Sequence, residues 1–119
     1  MKTHKDLDVW KKSVDFVTDL YKVTQDFPKG ELYGLTSQMR RAAVSIPSNI
    51  AEGSARQGNK ELVQFLYIAL GSVVELDTQL IIARNLIYIN EEEFIQLISK
   101  LEEIGKMLNG LINYRKSKL

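Results

Sequence analysis

The sequence predicts an all-α protein, an up-down-up-down four-helix bundle, and three observations predict it. Apolar residues recur at helical spacing through four segments, at about 7–25, 35–55, 60–87 and 91–114. The links between them are short and built from turn residues, as in Phe27-Pro28-Lys29-Gly30 and Gln57-Gly58. The last segment keeps a heptad period, the mark of left-handed, near-parallel packing. Short links between helices of similar length make neighbours antiparallel, and the chain, residues 1–119, reads as a single domain.

Helix one carries two apolar stripes side by side. Trp10, Val14, Val17 and Tyr21 form one; Val9, Phe16, Leu20 and Val23 form the other. Together they span roughly 180°, against about 100° for a helix with one buried face. Helix two places Leu35, Met39, Ala42, Ile46 and Ile50 on one face and Ser37, Arg41, Ser45, Ser48 and Glu52 on the other. Pro47 lies inside it and removes one backbone hydrogen bond, so the helix is expected to be kinked or broken near that residue. The run is also rich in small residues, among them Ala42, Ala43, Ser45 and Gly53, which let another backbone come close.

Asn59 is the expected N-cap of helix three, with Glu61 in the first turn. This helix is apolar almost all round. Leu62, Leu66, Ala69, Val73, Leu76 and Leu80 cover one side, and Val63, Tyr67, Val74 and Ile81 extend it. Such a helix is enclosed on several sides. Asp77 and Arg84 fall within the apolar arc, so each needs a partner if buried. Asn90 followed by Glu91-Glu92-Glu93 caps helix four, which repeats Phe94, Leu97, Leu101, Ile104, Leu108 and Leu111.

Composition excludes several chemistries. There are no cysteines, so thiolate catalysis, disulfides and cysteine-based metal sites are ruled out. The single histidine, His4, is in the N-terminal segment, so no Ser-His-Asp arrangement and no inward Glu-x-x-His pair is expected. Glu91, Glu92 and Glu93 diverge by about 100° each on a helix and read as a solvated first turn. Gly53 to Gly58, GSARQG, lacks the Gly-Lys-Ser/Thr ending of a phosphate loop. No enzyme activity, cofactor or metal is expected. The N-terminus has no signal-peptide core, and the apolar run from Leu62 to Val74 is interrupted and too short for a bilayer, so a cytoplasmic protein without a membrane partner is expected.

Two-faced helices one and three leave more apolar surface than a monomeric bundle can use. A homo-oligomer follows, with Val9, Phe16, Leu20, Val63, Tyr67, Val74 and Ile81 as its expected interface. The net charge of +1 makes no general case for nucleic acid, so local clusters matter. Arg40 and Arg41, with Arg56 and Lys60, form a candidate phosphate-contacting surface; ion pairs with Glu52, Glu75 or Asp77 are the simpler role for at least one of the two arginines. Lys2, Lys5, Lys11 and Lys12 cluster near one terminus and Arg115, Lys116 and Lys118 near the other, and the bundle topology puts both at one end.

The segments DLDVWKKSVDFVTDLY, ELYGLTSQMRRAAVSIPSNIAEGSAR and ELVQFLYIALGSVVELDTQL, covering about Leu7 to Tyr114, resemble the family of 23S rRNA-intervening-sequence proteins. The resemblance implies a small bacterial four-helix bundle that assembles as a ring-like homopentamer and has no established enzymatic activity. Some genes of the family lie within sequences inserted into 23S ribosomal RNA genes. A related branch, the accessory protein of diversity-generating retroelements, is pentameric and basic and binds nucleic acid and a reverse transcriptase. The near-neutral charge of this chain departs from that basic branch. The expectations are therefore a self-associating bundle with RNA or DNA as a partner, or an adaptor ring that binds a protein.

Overall fold

A computed structural model describes residues 3–119. Four helices, α1 (Asp8–Thr24), α2 (Ser37–Ser54), α3 (Asn59–Asn85) and α4 (Glu91–Lys116), alternate in direction, and no strand occurs among the described residues. α1 packs against α2 and α4, and α3 packs against the same two, which closes a bundle 45 × 23 × 22 Å across. Phe16, Leu20, Met39, Ile46, Leu76, Leu80, Leu101 and Leu108 are completely enclosed at its centre.

α1 resolves its two stripes by burying Val9, Ser13, Phe16, Leu20 and Thr24. The two buried hydroxyls satisfy themselves on their own helix, Ser13 donating to Trp10 O and Thr24 to Leu20 O, each at 2.8 Å. The other stripe, with Val14, Val17 and Tyr21, stays partly open. This corrects the expected self-association surface: Val9, Phe16, Leu20 and Val63 are core residues, at 4, 0, 0 and 7% exposure, and have no surface left for a second molecule. A helical wheel shows two adjacent stripes but not which one the other helices occupy.

A π-helical turn, Leu32–Thr36, leads into α2, and Gly34 inside it leaves helical dihedrals at φ −116° and ψ −115°. α2 then continues through buried Pro47 to Ser54. The proline thus leaves the helix kinked rather than broken, and its nitrogen has no hydrogen for the carbonyl of Ala43. Small residues serve the α2–α3 contact. A Cβ on Gly53 would sit 2.8 Å from Phe65 Cβ and 3.0 Å from Leu62 Cδ1.

α3 begins one residue earlier than expected, because Gly58 rather than Asn59 is its N-cap. The Asn59 side chain turns instead toward Arg115, accepting from Nη1 at 3.5 Å. α4 starts as its sequence reads: Glu93 N donates to Asn90 Oδ1 at 2.7 Å, and Asn90 N to Glu93 Oε1 at 3.0 Å. Phe94, Leu97, Leu101, Ile104 and Leu108 of the heptad stripe are buried.

The α3–α4 turn is a Schellman motif. Tyr88 N donates to Ala83 O and Ile87 N to Arg84 O, both at 2.9 Å. The left-handed position normally given to glycine is held by Ile87, at φ 61° and 86% exposed. A β-branched side chain is disfavoured there.

Candidate functional site

The outer face of α3 leaves a row of apolar side chains uncovered. Tyr67, Val74 and Ile81, spaced seven residues apart, are exposed by 47, 61 and 37%, and Ile68 and Ile82 flank the row. Fourteen residues of helix make this row about 21 Å long. By length and composition alone α3 would also pass for a membrane-crossing helix. Its other side, however, gives Leu66, Ala69, Leu76, Leu80 and Ala83 to the bundle core. Tyr67 has one polar neighbour, Lys116, whose Nζ lies 3.2 Å from the phenol oxygen.

The two adjacent arginines have separate environments. The Arg40 guanidinium lies over the Tyr21 ring at 4.5 Å, and its Nε donates to Thr24 Oγ1 at 3.0 Å. Its Nη2 reaches Tyr21 O at 3.4 Å. Arg40 is therefore the cationic partner of the α1 C-terminus, where the last carbonyls lack intrahelical donors. Arg41 is exposed and borders a groove of about 310 Å³ between α2 and α3, with Gln38, Ser45, Ser72 and Glu75. A hydrogen-bonded chain floors this groove: Ser72 donates to Ser45 Oγ at 2.9 Å, and Asn49 to Ser45 O at 2.8 Å.

The ion pairs expected of these arginines with Glu52, Glu75 or Asp77 do not form among the described residues. Among the described residues the pairs are Lys12–Glu103, Arg56–Glu61 and Lys100–Asp19. Asp77 and Arg84 are half-buried; Arg84 lies over the Phe94 ring at 4.3 Å. Nor do the four candidate phosphate-binding residues converge within one chain. Arg40 and Arg41 stand sixteen and fifteen residues before Arg56, which lies past the end of α2, and from Arg41 to Ser54 alone the helix rises about 20 Å. Arg56 lies over the Phe65 ring at 4.9 Å, and Lys60 is exposed on the first turn of α3.

That end of the bundle gathers segments distant in sequence. A pocket of about 740 Å³ is walled by residues of the N-terminal segment, the α2–α3 turn and Arg115 near the end of α4. In the sequence Arg115 stands only within a basic terminal cluster, and its neighbours in space leave no local signal. Lys2, from the other terminal cluster, lies outside the described residues, and Lys12 is paired with Glu103 at 3.1 Å. No group of three or more His, Asp or Glu side chains suited to a metal ion occurs among the described residues.

Fold and surfaces together define a class: a small antiparallel four-helix bundle with an uncovered apolar helix face. The model of the 23S rRNA-intervening sequence protein family matches residues 5–110, and the chain belongs to that family. Its fold is similar to the crystal structure, at 1.70 Å resolution, of a protein of unknown function from the S23 ribosomal protein family of Bacteroides thetaiotaomicron. The TM-score is 0.82 at 24% identity, over 88% of this chain and 95% of that one, a likeness of fold. None of the curated proteins matches the chain.

Proposed function

We propose that this protein is a non-enzymatic, cytoplasmic bundle that assembles with copies of itself into a ring, a homopentamer, and associates with structured RNA as a scaffold. The observation that carries the assembly is the row Tyr67, Val74 and Ile81 on α3, apolar and uncovered along about four of its turns. Apolar surface in a continuous strip marks a contact with another macromolecule. The support for RNA is Arg41, exposed and without a carboxylate within 4 Å among the described residues. A ring repeats Arg41 once per copy, and phosphate affinity grows with each contact.

Light scattering tests the assembly. The expected mass is five times the 13.6 kDa chain, and Val74→Glu with Ile81→Glu returns it to one chain. A wild-type monomer overturns the reading. For RNA, a ribosomal RNA fragment should bind at low salt and lose affinity as salt rises, and Arg41→Glu should weaken binding at unchanged mass. Affinity without a salt slope overturns the phosphate contacts.

A second reading, an adaptor that binds a protein, is favoured by the far end of the bundle. There Leu32, Tyr33, Leu86 and Ile87 are exposed by 46, 93, 49 and 86%, and Ile87 is also strained. An isoleucine that is both strained and exposed serves neither turn geometry nor core, and a protein contact would account for it.

A further inference from the structure

The pocket at the terminal end of the bundle has donors without acceptors. Arg115 Nε is buried and has no hydrogen-bond partner. The polar contact of this guanidinium among the described residues is the 3.5 Å approach of Nη1 to Asn59 Oδ1, at the outer limit of a hydrogen bond. Its 5.6 Å approach to the Tyr114 ring supplies no acceptor for Nε. Arginine keeps its proton at any physiological pH, so a buried guanidinium N–H without an acceptor is costly. Arg56, on the same wall, lies over the Phe65 ring and approaches one carboxylate, Glu61, at 4.0 Å, with both side chains about half exposed. A pair so placed is weak and leaves most of the charge available.

The backbone adds to this excess. α3 opens into the pocket at Gly58 with no side-chain cap. Its first intrahelical bond runs from Leu62 N to Gly58 O at 3.1 Å, so the amides of Asn59, Lys60 and Glu61 precede it without helical acceptors. One carboxylate, Asp6, lies on the pocket wall, and its Oδ2 already accepts from Thr3 N at 2.8 Å. His4 also lines the wall, held edge-on to Trp10 at 5.2 Å.

We propose that this pocket binds a phosphoryl group, held by Arg115 and Arg56 with the first amides of α3. A phosphate offers several acceptor oxygens and matches the guanidinium fork in a bidentate geometry. A volume of about 740 Å³ leaves room for the molecule that carries it. The site is distinct from Arg41 and stands whether or not the ring binds structured RNA. A free phosphate ester and a phosphate of an RNA strand present the same oxygens.

Titration of the full chain with inorganic phosphate, with a mononucleotide, and with a short oligoribonucleotide with and without a terminal phosphate tests the proposal. The readout is amide NMR shifts, against chloride at matched ionic strength. The expected result is saturable movement of Gly58, Asn59 and Lys60, and a loss of affinity of about tenfold in Arg115→Gln, equivalent to one charge-assisted hydrogen bond. Arg56→Gln gives a smaller loss on a separate element, so the result does not rest on the fold of one variant. A mononucleotide that binds as well as the oligonucleotide identifies a small ester as the ligand; a gain with the phosphorylated strand identifies RNA. No shift at the α2–α3 turn with any phosphate, or wild-type affinity in both variants, overturns the proposal. Failure of Arg41→Glu to weaken RNA binding bears on the proposed RNA contact of Arg41 alone.

Discussion

The phenol of Tyr88 donates to Glu31 Oε2 at 2.8 Å, tying the turn before α4 to the segment that precedes α2. Phe27, from the same α1–α2 link as Glu31, packs beside the Tyr88 ring at 5.3 Å, so the two links of this end meet there. The other carboxylate oxygen of Glu31 accepts from Leu35 N at 3.4 Å, which holds the π-helical turn against the same anchor.

This contact has a pH signature. The hydrogen bond to Glu31 raises the Tyr88 phenol above the usual tyrosine value; partial burial and the Glu31 charge raise it further. A folded value above the unfolded one means the contact's stabilisation is complete below the unfolded tyrosine value, about pH 10. It is lost as pH rises through the folded value. A difference titration of wild type against Tyr88→Phe, read in the ultraviolet phenolate band, should show this phenol ionising late. Glu31→Gln should move it back toward the ordinary range. An unshifted phenol in the wild type would refute the contact.

Arg40 and Arg41 should contribute unequally to stability. Arg40→Ala removes a cation–π contact and the cation at the α1 C-terminus, a loss of about 1 kcal/mol. Arg41→Ala removes an exposed side chain and should stay within about 0.5 kcal/mol of wild type. Urea denaturation of both variants measures the difference.

The glycines of α2 and α4 make a second contrast. Gly53→Ala forces a Cβ against Phe65 and Leu62, and overpacking of this kind costs about 1–3 kcal/mol, more than the gain in helix propensity of about 1 kcal/mol. Gly110, in α4, has nothing within 4 Å of the same position, so Gly110→Ala should stabilise by up to about 1 kcal/mol. Thermal melting of the two variants should move in opposite directions.

Ile87→Gly should stabilise the chain by about 1 kcal/mol, because glycine accepts φ 61° without the clash of a branched Cβ, and little buried surface is lost. If the exposed isoleucine serves a protein partner, the same variant should weaken partner binding as it raises the melting temperature.

Much of the fold could be read from residue spacing. The heptad of α4 and the cap at Asn90 appear in the structure as they stand in the sequence, because both are local signals, a repeat and a reciprocal pair of hydrogen bonds. The choice between the two stripes of α1 was not local. It depends on where α2 and α4 lie, so Phe16 and Leu20 looked as available for self-association as Tyr67 and Val74. The exchange of Asn59 for Gly58 as N-cap has a similar cause, since the Asn59 side chain turns toward Arg115, fifty-six positions away. Arg115 itself carries no motif, and only its unpartnered Nε, set among distant segments, marks it.

The two ends of the 45 Å bundle differ in kind: one gathers Arg56, Arg115 and open backbone amides, the other Leu32, Tyr33, Leu86 and Ile87. Each chain is thus a rod with a head and a tail. Rotation about a single axis keeps every head on the same side, whereas added two-fold axes would turn half of them over. A cyclic assembly with its rods along the axis would therefore be a two-sided disc, hydrophilic on one side and oily on the other. Such a disc could hold two chemically unlike partners at once and would orient them relative to each other.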